Sequence, residues 1–139
     1  MEGTIISLQI CTAHRAPMQF KTQARALANR GLEGDRHARK DGSRQVLLMD
    51  EETLNKFQLK PGIVKENITT RGIAIQTLAK GARLKIGDAV FEITKLCTPC
   101  ERMEEIRNGL RAEIEGQRGI LAKVIEGGTL RVGDAIEVM

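Results

Sequence analysis

Tryptophan and tyrosine are absent from the 139-residue sequence, and phenylalanine occurs only three times, at Phe20, Phe57 and Phe91. The core must therefore be aliphatic, built from Ile, Leu, Val and Met. The same scarcity removes the stacking aromatics that nucleic-acid modules add to their basic residues. The net charge of +4 thus favours anionic partners in general, and nucleic acid is not expected among them. Cysteine is scarce as well. Three is an odd number and gives no disulfide framework, so a reduced, cytoplasmic protein is expected. No apolar run approaches membrane-spanning length, and the opening MEGTIISLQICTAHR lacks the charged and apolar regions of a signal peptide. Apolar residues still make up 41% of the chain, which excludes disorder and supports one folded domain over 1–139.

Residues 3 to 12 alternate apolar and polar positions and predict a strand with Ile6, Leu8 and Ile10 on one face. A long polar loop follows through ALANRGLEGDRHARKDGSR. QVLLM (45 to 49) predicts a buried strand, and Asp50 an N-cap for a short helix. The chain then nearly repeats itself. RGIAIQTLAKGARLKIGDAVFEI (71 to 93) matches RGILAKVIEGGTLRVGDAIEVM (118 to 139), with the second halves aligned without a gap. Each copy reads as strand, Gly-Asp turn, strand. The first halves differ by one residue, a slip that a bulge or loop must absorb. Two copies are too few for a solenoid but suit a closed or partly closed antiparallel barrel. The expected fold is therefore mostly β, antiparallel and barrel-like, with two or three short helices.

The chemistry concentrates in KLCTPCERME (95 to 104). Thr98 has the character of an N-cap, Pro99 of the first helical residue, and Glu101 of the third, completing a capping box. Cys100 would then sit at the second helical position, where free amides favour a thiolate. Cys97 ends an alternating strand and is expected to pack inward. CTAH (Cys11, His14) and CTPC (Cys97, Cys100) each carry ligand-pair spacing and together would make a Cys3His zinc set. Their separation far exceeds the dozen or two residues usual between such pairs. In GLEGDRHARK (31 to 40), Arg36 offers a planar fork for phosphate or carboxylate, and His37 could orient a ligand or move a proton. A solvated Gly-Asp turn is the competing reading. In PGIVKENITTRGI (61 to 73), Asn67 and Arg71 are candidate ligand contacts, against a structural Asn turn.

GLEGDRHA, RQVLLMDEETL, PGIVKENITTRGI, LKIGDAVFEITKLCTPCERME and the terminal GQRGILAKVIEGGTLRVGDAIEVM, in this order, resemble the MOSC domain, named for the C-terminal domain of molybdenum cofactor sulfurases. The likeness runs from about residue 30 to the end. It implies a β-barrel-like fold and a role in binding molybdenum cofactor (molybdopterin) or carrying sulfur. The family's cysteine matches Cys100, which the resemblance makes the molybdenum ligand or a persulfide-bearing thiol. Arg36, His37, Asn67 and Arg71 would contact the pterin cofactor, and Lys95 would add charge near the thiol. A sulfur-donor protein is the implied macromolecular partner, and monomer and homodimer both remain open. The extra N-terminal barrel of larger members is not expected in these 139 residues, and Cys97 makes a CxxC foreign to the family pattern. A cofactor-docking module without catalysis and a zinc-bound β domain are the alternatives.

Overall fold

The computed structural model describes residues 2–139. Eleven strands are present: β1 (Glu2–Ile10), β2 (Gln19–Lys21), β3 (Gln23–Leu27), β4 (Gly31–Leu32), β5 (Val46–Asp50), β6 (Ile68–Arg71), β7 (Arg83–Ile86), β8 (Ala89–Leu96), β9 (Ile120–Glu126), β10 (Gly128–Arg131) and β11 (Ala135–Val138). Three short helices join them, α1 (Glu51–Lys56), α2 (Arg102–Ile106) and α3 (Leu110–Glu113). None of the helices is long and apolar enough to cross a membrane.

Seven strands close a barrel in the order β1-β6-β5-β9-β8-β7-β11, and β11 pairs back onto β1. Closure satisfies the edges that an open sheet would expose. The expectation of a purely antiparallel barrel needs one correction: β5 and β6 run parallel, with Leu48 opposite Ile68. A parallel neighbour cannot be reached by a tight turn. α1 and the loop over residues 57–67 supply the crossover. β3, β4 and β10 form a separate three-stranded sheet.

The barrel interior is aliphatic, as the missing aromatics require. Ile5, Leu48, Ile68, Leu84, Ile86 and Ile136 are fully buried around Phe91, the one aromatic in this core. A bulge between Ile5 and Ser7 corrects the predicted face of β1. The extra residue shifts the phase, so Ile5, Leu8 and Ile10 point inward and Ile6 is only half-buried. The two sequence repeats also diverge. β7 and β8 form a hairpin across Gly87-Asp88, with Ile86 paired to Ala89. The second copy splits, sending β10 to β3 and β11 to β7 and β1. The one-residue slip is absorbed because residues 72–82 of the first copy form a 3-10 turn and loop, whereas the equivalent stretch of the second copy is β9.

Asp50 caps α1 as expected, accepting from the Thr53 amide at 2.9 Å. The helix after the CTPC stretch departs from expectation. It begins at Arg102, with Glu101 at the cap and no side-chain cap bond, so Cys100 lies ahead of the helix. The Cys100 carbonyl accepts from the Met103 amide at 3.0 Å, and that turn opens the helix three residues late. The helix is short: Arg107 is extended, which ends α2 at Ile106, and Gly109, at φ +87°, lets the chain turn into α3. Met103 and Leu110 nevertheless bury on one face, against Leu54 of α1.

Candidate functional site

The ends of β1, β5 and β8, the Asp35 loop and the approach to α2 surround a pocket of about 400 Å³. That lies in the range of ligand-sized cavities, roughly 300–1,000 Å³. Its lining has one sign. Arg15, Arg36, Arg44, Lys65, Arg102 and Arg118 contribute six cationic side chains, and no Asp or Glu lines the wall. All three cysteines reach it, together with both histidines.

Behind this lining lies Asp35, a residue that the sequence presents only as part of a turn. Its carboxylate is buried, and Oδ1 accepts from the Cys11 amide at 2.7 Å and from Asn67 Nδ2 at 3.1 Å. Oδ2 accepts from the His37 amide at 3.0 Å. Burial alone would raise the pKa of Asp35, but the His37 side chain, with Nδ1 3.5 Å from Oδ2, and then the Cys11 and His37 amides outweigh it and hold the group below the ordinary carboxylate value. Asn67 is a clip. Its Nδ2 donates to Gln9 O at 3.1 Å as well as to Asp35, and its Oδ1 accepts from the Leu47 amide at 3.0 Å. Both amide protons are therefore spent on joining β1, β5 and the Asp35 loop, leaving none for a ligand.

The mouth is a knot of arginines around His14. Arg36 Nη1 lies 3.2 Å from His14 Nδ1, and Arg102 Nη2 lies 3.2 Å from Nε2. Arginine can only donate, and a neutral imidazole has one acceptor nitrogen, so one of these contacts is always unmet. Partial desolvation, then the charges of Arg102, Arg36 and Arg15, hold the His14 pKa below its ordinary value. Replacing Arg102 by Gln is therefore expected to raise the titration midpoint of His14. The chain's two histidines make this readable by NMR. An unmoved midpoint would place the ring outside the field of that guanidinium.

The floor holds Cys97, packed against Leu47 and Leu121 as predicted, with Arg44 Nη2 3.9 Å from its sulfur. The Cys97 amide donates to Gly119 O at 2.9 Å, which brings β8 against the residue that follows Arg118. Arg118 is buried, and its Nε and Nη1 have no hydrogen-bond partner. Cys11 also lies buried, its Sγ donating to Ala13 O at 3.3 Å, while Cys100 is partly exposed toward the pocket.

Of the residues singled out in the sequence, Cys100, Arg36, His37 and Asn67 come together at this pocket. Arg71 and Lys95 do not. Arg71 is exposed at the end of β6 and pairs with Glu51 at 2.7 Å. Lys95 is exposed on β8, beside a register shift, and does not line the pocket. The helix-start argument for a Cys100 thiolate also falls, because the helix begins beyond it and is a single short turn. No three His, Cys, Asp or Glu side chains among the described residues lie close enough to share a metal ion, so the Cys3His zinc set does not assemble. Local sequence offers His14 only as a zinc ligand and does not single out Arg44, Lys65, Arg102 or Arg118. An excess of basic residues over acidic ones, 22 against 18, is the only signal these cations give.

The family model described as the MOSC domain matches residues 35–137. Among solved structures, the YUAD protein from Bacillus subtilis is similar to this chain with a TM-score of 0.88 at 20% identity, the match covering 99% of this chain and 96% of that one. YiiM from Geobacillus stearothermophilus is similar with a TM-score of 0.80 at 14% identity, covering 99% of this chain and 75% of that one. For YiiM from Escherichia coli the values are 0.74 and 18%, with 100% and 70% covered. At these identities the likeness is one of fold. No curated protein matches the sequence.

Proposed function

The chain belongs to the MOSC domain family, and on that premise we propose that its cationic pocket binds molybdenum cofactor, with Cys100 presented as the ligand to the metal. The carrying observation is the coexistence, in one cavity, of a partly exposed thiol and an unbalanced set of cations that includes the unpartnered Arg118 guanidinium. A phosphate-bearing pterin supplies the anionic charge that such a wall lacks, and thiolate is a fitting soft donor for the metal. Arg36 and Arg102 hold the anionic rim at the mouth. Asp35 fixes the Cys11 and His37 backbone behind them. A bound molybdenum centre would supply the atom-transfer chemistry; the chain's own role is to bind, orient and shield.

A second reading, favoured by the three unpaired thiols lining one pocket, is sulfur carriage. The Cys100 thiolate attacks the outer sulfur of a donor persulfide, a new S–S bond forms at Cys100, and the donor cysteine departs as thiolate.

Production in a host that makes the cofactor separates these readings. Metal and pterin content of wild type and Cys100→Ala, with intact mass, are the measurements. Cofactor binding predicts molybdenum and pterin in wild type, with molybdenum at least tenfold lower in Cys100→Ala. Sulfur carriage predicts an added sulfur on wild type that Cys100→Ala lacks, without metal. Wild type free of metal, pterin and added sulfur would overturn both.

A further inference from the structure

We propose that the floor of the pocket is a binding subsite for a tetrahedral oxyanion, anchored by Arg118. It shares the cavity with the cofactor reading but stands without it, since an oxyanion can bind whether or not a pterin does.

Arg118 is 6% exposed, and two of its donors, Nε and Nη1, are buried without a partner. Buried arginines are ordinarily paired, because an unpaired buried charge is costly. The anionic group whose field reaches it is Glu66, which is fully buried and whose Oε1 also has no hydrogen-bond partner. Glu66 Oε2 accepts from the Gly62 amide at 2.9 Å and from Thr69 Oγ1 at 2.8 Å, and no ion pair with Arg118 forms. Burial raises the Glu66 pKa, so this carboxyl is a poor counter-charge for a guanidinium. No acidic side chain lines the cavity.

The other cations are already engaged to some degree. Arg15 pairs with Glu105 at 2.7 Å, Arg36 and Arg102 face His14, and Lys65 donates to Ala16 O at 3.0 Å. Arg118 differs in having no protein partner for its buried donors, and its backbone is held firmly. Gly119, next in the chain, donates to Gln76 Oε1 at 2.7 Å and accepts from the Cys97 amide. A rigidly held, planar donor fork is the geometry that matches two oxygens of a phosphate-like group. Arg44, beside Cys97 at the same floor, supplies a second positive charge, which suits a dianion.

The test uses the full chain in oxyanion-free buffer, titrated calorimetrically with inorganic phosphate and with methyl phosphate. Wild type is expected to bind one phosphate saturably. Arg118→Met is expected to weaken that binding at least tenfold, and Arg118→Lys, which keeps the charge but loses the fork, by less. Melting separates an anchor from a structural residue. Without anion, Arg118→Met should melt at or above the wild-type temperature, because an unpartnered buried charge has been replaced by an apolar chain. Phosphate should then raise the wild-type melting temperature and leave that of Arg118→Met unchanged. Equal binding of both ligands assigns the subsite to the head of a phosphate ester; binding of inorganic phosphate alone assigns it to a free ion. Either result sustains the subsite. No binding by wild type, undiminished binding by Arg118→Met, or Arg118→Met melting well below wild type without anion would each overturn it. With the chain produced in a host that makes no cofactor, none of these results depends on molybdenum or pterin content, so the two readings fail separately.

Discussion

Asp35→Ala is expected to lose about 3–5 kcal/mol of folding stability, since each buried polar group stripped of its partner costs about 1–3 kcal/mol. Alanine would leave the Cys11 amide and one proton of Asn67 Nδ2 buried without an acceptor, and would free the His37 amide. Asp35→Asn separates shape from charge. Its amide oxygen can still serve Cys11 and Asn67, but its NH2 group then faces the His37 amide, donor against donor. A loss of about 1–2 kcal/mol follows, near the net worth of one charge-assisted hydrogen bond. The pH dependence carries a sign. The folded pKa of Asp35 is depressed, so the carboxylate's contribution is complete above its unfolded value of about 4 and disappears as pH falls through the lower folded value. Urea titrations of wild type and Asp35→Asn should therefore converge below about pH 4 and stay parallel above it. A constant gap across that range would remove the carboxylate from the account, and equal stability at pH 7 would remove its hydrogen bonds.

Asp35 shows why the site is only partly legible in the sequence. The Gly-Asp-Arg-His run is visible there, yet the partners that turn its aspartate into a hub come from the residue after β1 and from the residue before β6. Local pattern cannot pair residues so far apart. What it does yield is the aliphatic interior, because Ile, Leu and Val dominate and Trp and Tyr are missing. It also yields the Asp50 cap and the Gly87-Asp88 hairpin, both written in consecutive residues. The Thr98-Pro99 signature is equally local and misleads. The Cys97 amide is drawn to Gly119 O, so the chain continues its β8 course past Leu96, and the helix waits until Arg102. The repeat misleads in a more instructive way. It aligns Arg71 with Arg118, and Arg71 is the one that local pattern singles out. In the first copy the arginine precedes a 3-10 turn and reaches solvent beside Glu51. In the second it precedes β9, which the barrel covers from both neighbours, and the same Arg-Gly pair becomes a buried cation. Two similar segments carry different chemistry because one folds as a loop and the other as a strand.

That same pair sets the second large effect, at Gly119. Its φ is +116°, a region that side-chain-bearing residues rarely adopt, and a Cβ there would lie 2.9 Å from Leu48 O and 3.0 Å from Leu47 Cδ1. The leucine methyl can yield, but the carbonyl belongs to β5, whose ladder with β9 includes the Leu48–Ile120 pair. Gly119→Ala must therefore strain the backbone or push β5 and β9 apart. Backbone strain of about 1–3 kcal/mol and overpacking of about 1–3 kcal/mol give an expected loss of about 3–5 kcal/mol. For a domain of this size that is a fall of roughly 10–17 °C in Tm. Gly81→Ala is the control: φ is +91° there, but nothing lies within 4 Å of the added carbon, so only strain remains. The difference between the two variants measures the collision with β5, and equal losses would show that β5 yields freely. The functional consequence goes with the structural one. Gly119 O holds the Cys97 amide and its N–H is held by Gln76, so displacing it moves the thiol and the Arg118 guanidinium together. At temperatures where Gly119→Ala remains folded, phosphate binding should weaken while Gly81→Ala binds as wild type does. Undisturbed binding by folded Gly119→Ala would mean that the floor of the pocket does not depend on this glycine for its geometry.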